Sequence, residues 1–286
     1  MRRLTAFILV GLFTAAALAQ REPLALVPVA SDRAVTLDDV KPSAFVPWVA
    51  HADGTMLATT APGQTIADVE LIPFDGPNGR GVALMHPWST IQNVRILSIG
   101  DDGISIRNDA HGSLVNGVTI EPAAFAKPSK GFVCGADFGT PQPAYPLSVG
   151  GAGTIRNTSV KATIPFRMSG GVWTLQNCDI WIGPWCGIDA IDAKLNLIDV
   201  RFHTWPGLLP GRGMPYGPLG PCPIRVQSLK NGVQSGKNLK SAIFTQGCSI
   251  DGKPVATADL LRRFNPVGGY DGLGTVPASV VRKTMN

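Results

Sequence analysis

Residues 173–200 carry one short pattern twice, twenty residues apart, and this repeat constrains the chain more than any other feature. Thr174-Leu175-Gln176-Asn177-Cys178-Asp179-Ile180 returns as Lys194-Leu195-Asn196-Leu197-Ile198-Asp199-Val200. Both copies largely alternate apolar and polar side chains, the period-2 signature of a strand with one buried face. A period near twenty is too short for an independent domain and long enough for one coil of a solenoid.

The register extends in both directions. Thr65 to Leu71, Thr90 to Ile96, Ser113 to Ile120, Thr154 to Val160 and, more loosely, Phe244 to Ile250 repeat the pattern. The key positions are 68, 93, 116, 157, 177 and 197, with spacings of 25, 23, 41, 20 and 20. The first five carry Asn or Asp and the sixth is Leu197. The spacing of 41 predicts an unmatched coil around Cys134 to Val149. A second strand type recurs later in each repeat, as Val82-Ala83-Leu84, Gly103-Ile104-Ser105-Ile106, Gly187-Ile188-Asp189-Ala190 and Pro223-Ile224-Arg225-Val226. Two strand types per repeat with Asn or Asp at the bend predict an all-β chain, a right-handed parallel β-helix of roughly seven to nine coils.

The repeats from Thr65 to Ile250 resemble the pectin-lyase-like β-helix superfamily in coil length, in the Asn/Asp position and in the GIxI strand. The resemblance implies an architecture shared by polysaccharide lyases, glycoside hydrolases, tail spikes and adhesins, so it leaves function open. Asp101-Asp102-Gly103-Ile104 also resembles the GDDxIxI segment of polygalacturonases. The Asn-Thr-Asp, Gly-His-Gly and Arg-Ile-Lys segments that accompany it in those enzymes are missing, and Asp-Asp-Gly reads as a tight turn.

The boundaries follow from where periodicity starts and stops. Met1-Arg2-Arg3 followed by an apolar run from Leu4 to Leu18 and Ala17-Leu18-Ala19 predicts a signal peptide over residues 1–19. The mature chain is then secreted or periplasmic. Residues 20–60 are expected to cap the first coil, 61–252 to form the β-helix, and 253–286 a C-terminal cap helix (Thr257 to Phe264) and tail. No further stretch predicts a membrane span. A net charge of +5 without a basic run interleaved with aromatics gives no nucleic-acid footprint.

Chemistry is expected where strands face outward and connections lengthen. With a twenty-residue register, Asp179 and Asp199 stack about 5 Å apart, with Arg201 and His203 alongside. Three uses follow. A retaining glycosidase needs two carboxyls at that spacing, one of them a raised-pKa acid. A β-eliminating lyase would hold Ca²⁺ between Asp179 and Asp199 and use Arg201 or His203 as base. A binding protein needs only the hydrogen-bonding groups, and a plain solvated face is the alternative to all three. Trp181, Trp185, Trp205 and Tyr216 cluster in and beside the longest insertion. They offer either sugar-stacking surfaces or packing for that loop; Trp88 and Trp173 read as packing residues.

Five cysteines leave one without a partner. Cys186 and Cys222 precede the second strand of consecutive coils, within disulfide range, and predict a bond in an exported chain. Cys134, Cys178 and Cys248 are expected to be buried thiols, and Asp189 and Arg225 a surface ion pair. The function expected is therefore an exported protein that binds or cleaves a polysaccharide; the alternative is a non-catalytic structural, adhesive or virion-associated β-helix protein.

Overall fold

The computed structural model describes residues 55–71, 80–98, 102–107, 110–122, 134–138, 152–162, 164–183, 185–205, 219–267 and 270–285. The predicted signal peptide, most of the N-terminal cap, Asp101 and Tyr216 lie outside these residues.

Among the described residues the chain is all-β, and it alternates between two sheets. The first sheet contains Thr55–Ala58, Arg80–Leu84, Asp102–Ile106, Cys134–Phe138, Ile164–Ser169, Ile188–Ile191, Ile224–Lys230 and Leu261–Arg263, each paired in parallel with the next. Val233–Ser235 folds back antiparallel on the edge. The second sheet receives most repeats as two short strands separated by a bend. Ala152–Arg156 with Ser159–Lys161, Val172–Gln176 with Asp179–Ile182, and Lys194–Ile198 with Arg201–Thr204 lie side by side, all parallel.

The bends explain the Asn/Asp signal. Asp68, Asn93, Gly117, Asn157, Asn177, Asp199 and Gly247 all have φ between 51° and 67°, so the bend of the third repeat is Gly117 and not Asn116, which ends the strand before it. That left-handed conformation is tolerated by Gly, Asn and Asp far better than by other residues. Side chains at the bends hydrogen-bond from repeat to repeat: Asn93 Nδ2 donates to Asp68 Oδ1 at 2.7 Å, and Asn177 Nδ2 to Asn157 Oδ1 at 2.7 Å.

The core is a set of columns. Ile66, Ile91, Val115, Ile155, Leu175 and Leu197 stack before the bend. Leu71, Ile96, Ile120, Val160, Ile180 and Phe202 stack after it. They meet Val82, Ile104, Phe166, Ile188 and Ile224 of the first sheet in one continuous buried cluster. Apolar side chains at every second position thus form a core in which each repeat covers the next. Trp173 is part of it, as expected, whereas Trp88 is 63% exposed.

Three expectations are corrected. The bend of the later repeat is Asp199, not Leu197, so the step there is two residues longer than the sequence match implied. Among the described residues the spacing of 41 holds no additional second-sheet strand: Ser113 to Asn116 pairs directly with Gly153 to Arg156, and Cys134–Phe138 is the described strand between them, on the first sheet. The segment from Thr257 is helical only to Leu260, after which Leu261–Arg263 continues the first sheet beside Ile224. Val281 bridges to Ile243, so the chain end covers the last edge of the second sheet. No helix among the described residues is long and apolar enough to cross a membrane.

Candidate functional site

Strand alternation turns Ile180 and Phe202 into the core, and turns Asp179, Trp181, Arg201 and His203 outward on the second sheet. The register places Ser159, Asp179 and Arg201 in one row, and Lys161, Trp181 and His203 in the next. Four of the expected site residues therefore converge, with Lys161 as a fifth member that the sequence did not single out.

Asp179 is the centre of this group. Arg201 Nε donates to its Oδ1 at 2.8 Å and Nη2 to its Oδ2 at 2.6 Å, a two-point ion pair. His203 Nε2 lies 2.7 Å from Oδ1. An ionised carboxylate only accepts, so Nε2 carries the proton of this contact. The third guanidinium nitrogen, Arg201 Nη1, donates to Asn177 Oδ1 at 2.8 Å, which ties the site to the column of bend residues. Arg201 holds the Asp179 carboxyl below its ordinary range; burial opposes the shift and the His203 hydrogen bond adds to it. The His203 ring stacks on Trp181 with centroids 4.6 Å apart, and Lys161 Nζ sits 4.6 Å from the centroid of the Trp181 ring. Farther along the same face, Arg95 bonds Glu70 at 3.0 Å and Glu121 at 2.7 Å.

Asp199 does not belong to this group. It occupies the bend with φ 52°, and its register neighbour is Asn177. The two-carboxylate arrangement required for a retaining glycosidase is therefore not formed by Asp179 and Asp199. Nor does Asp179 suit the part of a raised-pKa acid, because its shift has the opposite sign. The lyase reading meets a similar obstacle. Every guanidinium nitrogen of Arg201 is engaged, and pairing with Asp179 raises its pKa against the opposing effect of burial, so it is a poor base. Both Asp179 oxygens are taken by Arg201, and no cluster of three or more His, Cys, Asp or Glu side chains that could hold a metal occurs among the described residues. The residues present do not fit Ca²⁺ between Asp179 and Asp199.

The remaining expected residues disperse. Trp205 packs against the core. Trp185 is 44% exposed in the bend before Ile188–Ile191, where Arg225 lies 5.7 Å from its ring centroid. Tyr216 is outside the described residues. Cys186 and Cys222 are neighbours beside the first-sheet strands, and both are buried free thiols in the structure, as are Cys178 and Cys248. Burial pushes the Cys178 and Cys186 thiols up to about 12. Asp189 and Arg225 form the expected pair, but it is buried rather than at the surface. No protein-family model, curated protein or solved structure matches this chain.

Proposed function

We propose that this chain is an exported right-handed parallel β-helix that binds a linear polysaccharide along the outward face of its second sheet, without cleaving it. The winding follows from the alternation between two parallel sheets with one left-handed bend per repeat, since parallel crossovers are right-handed in nearly all cases. Export rests on the leader-like first nineteen residues.

The observation that carries the binding reading is the ordered polar row on that face. Glu70, Arg95, Thr119, Ser159, Asp179, Arg201 and Ser249 follow one another in register, Glu70 buried at the end of the row and the other six half-buried. Five strand spacings of about 4.8 Å make the accessible row about 24 Å long, the shape a polymer chain would match. Its charged members are locked to one another by ion pairs, so they present fixed donors and acceptors with little rotamer entropy left to lose on binding. The same locking occupies the Asp179 carboxylate and the Arg201 guanidinium, two of the groups that hydrolysis or elimination would draw on.

The covered edge at Ile243 and Val281 argues against end-to-end stacking of copies, as a structural fibre would require. The test is a polysaccharide panel assayed for retention and for products. The expected result is saturable binding to at least one polymer, with no new reducing ends and no ultraviolet-absorbing unsaturated uronides. Product release, or binding to none of the panel, overturns the proposal.

A further inference from the structure

The outward face of the first sheet carries a different arrangement. Arg167, Asp189, Arg225 and Arg262 stand in one register row. Charge alternates along it until the last step, where two arginines adjoin. Arg225 and Asp189 are 3% and 1% exposed, and Arg262 is also buried. Asp189 is fully used: Arg225 Nε and Nη2 donate to its two oxygens at 3.0 Å each, and Gln227 Nε2 donates to Oδ1 at 2.7 Å. Arg262 Nη1 finds only carbonyls, those of Asp259 and Leu261. The neighbouring thiols of Cys186 and Cys222 are held neutral at pH 7 by burial and supply no counter-charge.

Two buried guanidinium groups therefore share one carboxylate. Four further polar atoms here are buried without a hydrogen-bond partner: Arg167 Nε, Arg225 Nη1, Arg262 Nε and Gln227 Oε1. A buried cation without a compensating anion is costly, and so is a buried donor without an acceptor. Beside them stands Trp185, whose ring lies over Arg225 and is partly open to solvent.

We propose that Arg225, Arg262 and Gln227, with Trp185 at the entrance, form a carboxylate-binding site separate from the Asp179 face. A carboxylate would accept from Arg225 Nη1 and Arg262 Nε, and a hydroxyl on the same ligand would donate to Gln227 Oε1. That combination, with an aromatic surface alongside, is the chemistry of a sugar acid. The sugar-acid part rests on the saccharide reading above, whereas the carboxylate part stands on the two arginines alone.

The test is titration calorimetry of the mature protein with acetate, glucuronate and glucose at fixed ionic strength, with tryptophan fluorescence read in parallel. Acetate and glucuronate should bind saturably and glucose should not. Tenfold tighter binding of glucuronate identifies a sugar acid as the source, and equal affinities identify the carboxylate alone; both uphold the site. Arg225→Lys, which keeps the charge and loses the second fork, should weaken binding at least tenfold. Should Arg225→Lys fail to fold, Trp185→Ala, at an exposed position, should abolish the fluorescence response. No saturable binding of either carboxylate, or unaltered binding in a folded Arg225→Lys and in Trp185→Ala, overturns the site. Carboxylate binding in a protein that retains no polymer would sink the polysaccharide reading and leave this site standing.

Discussion

A double-mutant cycle on Asp179 and Arg201 tests the register on which the second-sheet face depends. The structure makes these residues direct partners through two hydrogen bonds of 2.8 and 2.6 Å. The Arg201 side chain is 40% exposed and that of Asp179 29%, so solvent screening keeps the pair near the upper end of the surface range. A coupling of about 0.5–1 kcal/mol is expected at neutral pH. The sign of its pH dependence follows from the Asp179 carboxyl, whose pKa is lowered on folding. A lowered carboxyl pKa contributes stability above the unfolded value of about 3.9, and this is lost as pH falls through the folded value. Urea unfolding of the wild type, Asp179→Ala, Arg201→Ala and the double variant at pH 7 and at pH 2.5 gives both quantities. The coupling should be present at pH 7 and largely gone at pH 2.5. A second cycle pairing Asp179→Ala with Asp199→Ala should give no favourable coupling. Zero coupling to Arg201 at pH 7, or an equal coupling at both pH values, would refute the pairing.

Other consequences follow from the core and the thiols. Phe202→Ala removes a fully buried ring from the inner column, and urea unfolding should show a loss of about 3–5 kcal/mol; a loss below about 1 kcal/mol would contradict its placement. Gly153→Ala would bring a Cβ to 2.5 Å from both the Ser113 carbonyl oxygen and the Trp173 ring, so it should cost more than about 2 kcal/mol and lower the melting temperature. A stability unchanged by this substitution would mean that the two strands are not so close. The Cys178 and Cys186 thiols, pushed up to about 12 by burial, should not react with Ellman's reagent at pH 8 until denaturant is added. All five cysteines should then titrate; three would show that Cys186 and Cys222 had oxidised to the disulfide that their adjacency suggested.

What the sequence revealed and what it concealed have distinct physical causes. The inward columns were legible because burial of one face forces a period of two, and Ile155, Leu175 and Leu197 obey it. The slip at the last well-matched repeat was invisible to that criterion. A shift of two residues leaves every side chain on its original face, so matching Lys194 to Val200 by polarity cannot separate the two registers. The bend conformation does separate them: position 199 adopts φ 52°, which Asp tolerates and a Leu at that position would resist. That two-residue error is what paired Asp179 with Asp199 instead of Arg201. The burial of Asp189 and Arg225 was hidden for another reason. Outward positions of a strand read as solvated until another segment covers them, and Arg225 lies 5.5 Å from the ring centroid of Phe264, thirty-nine residues farther along. Lys161 was missed because one Lys after a Val carries no signal until the register sets it beside Trp181.

The central claim is that the Asp179 face holds a polymer through fixed groups and performs no chemistry on it. Affinity electrophoresis of the wild type and Arg201→Ala, run against a polysaccharide that the wild type binds, tests it most directly. Removing Arg201 unlocks Asp179, His203 and Asn177 together, so retardation should fall at least tenfold in apparent affinity while the unfolding transition remains cooperative. Retardation equal to that of the wild type, in a folded Arg201→Ala protein, would contradict the claim.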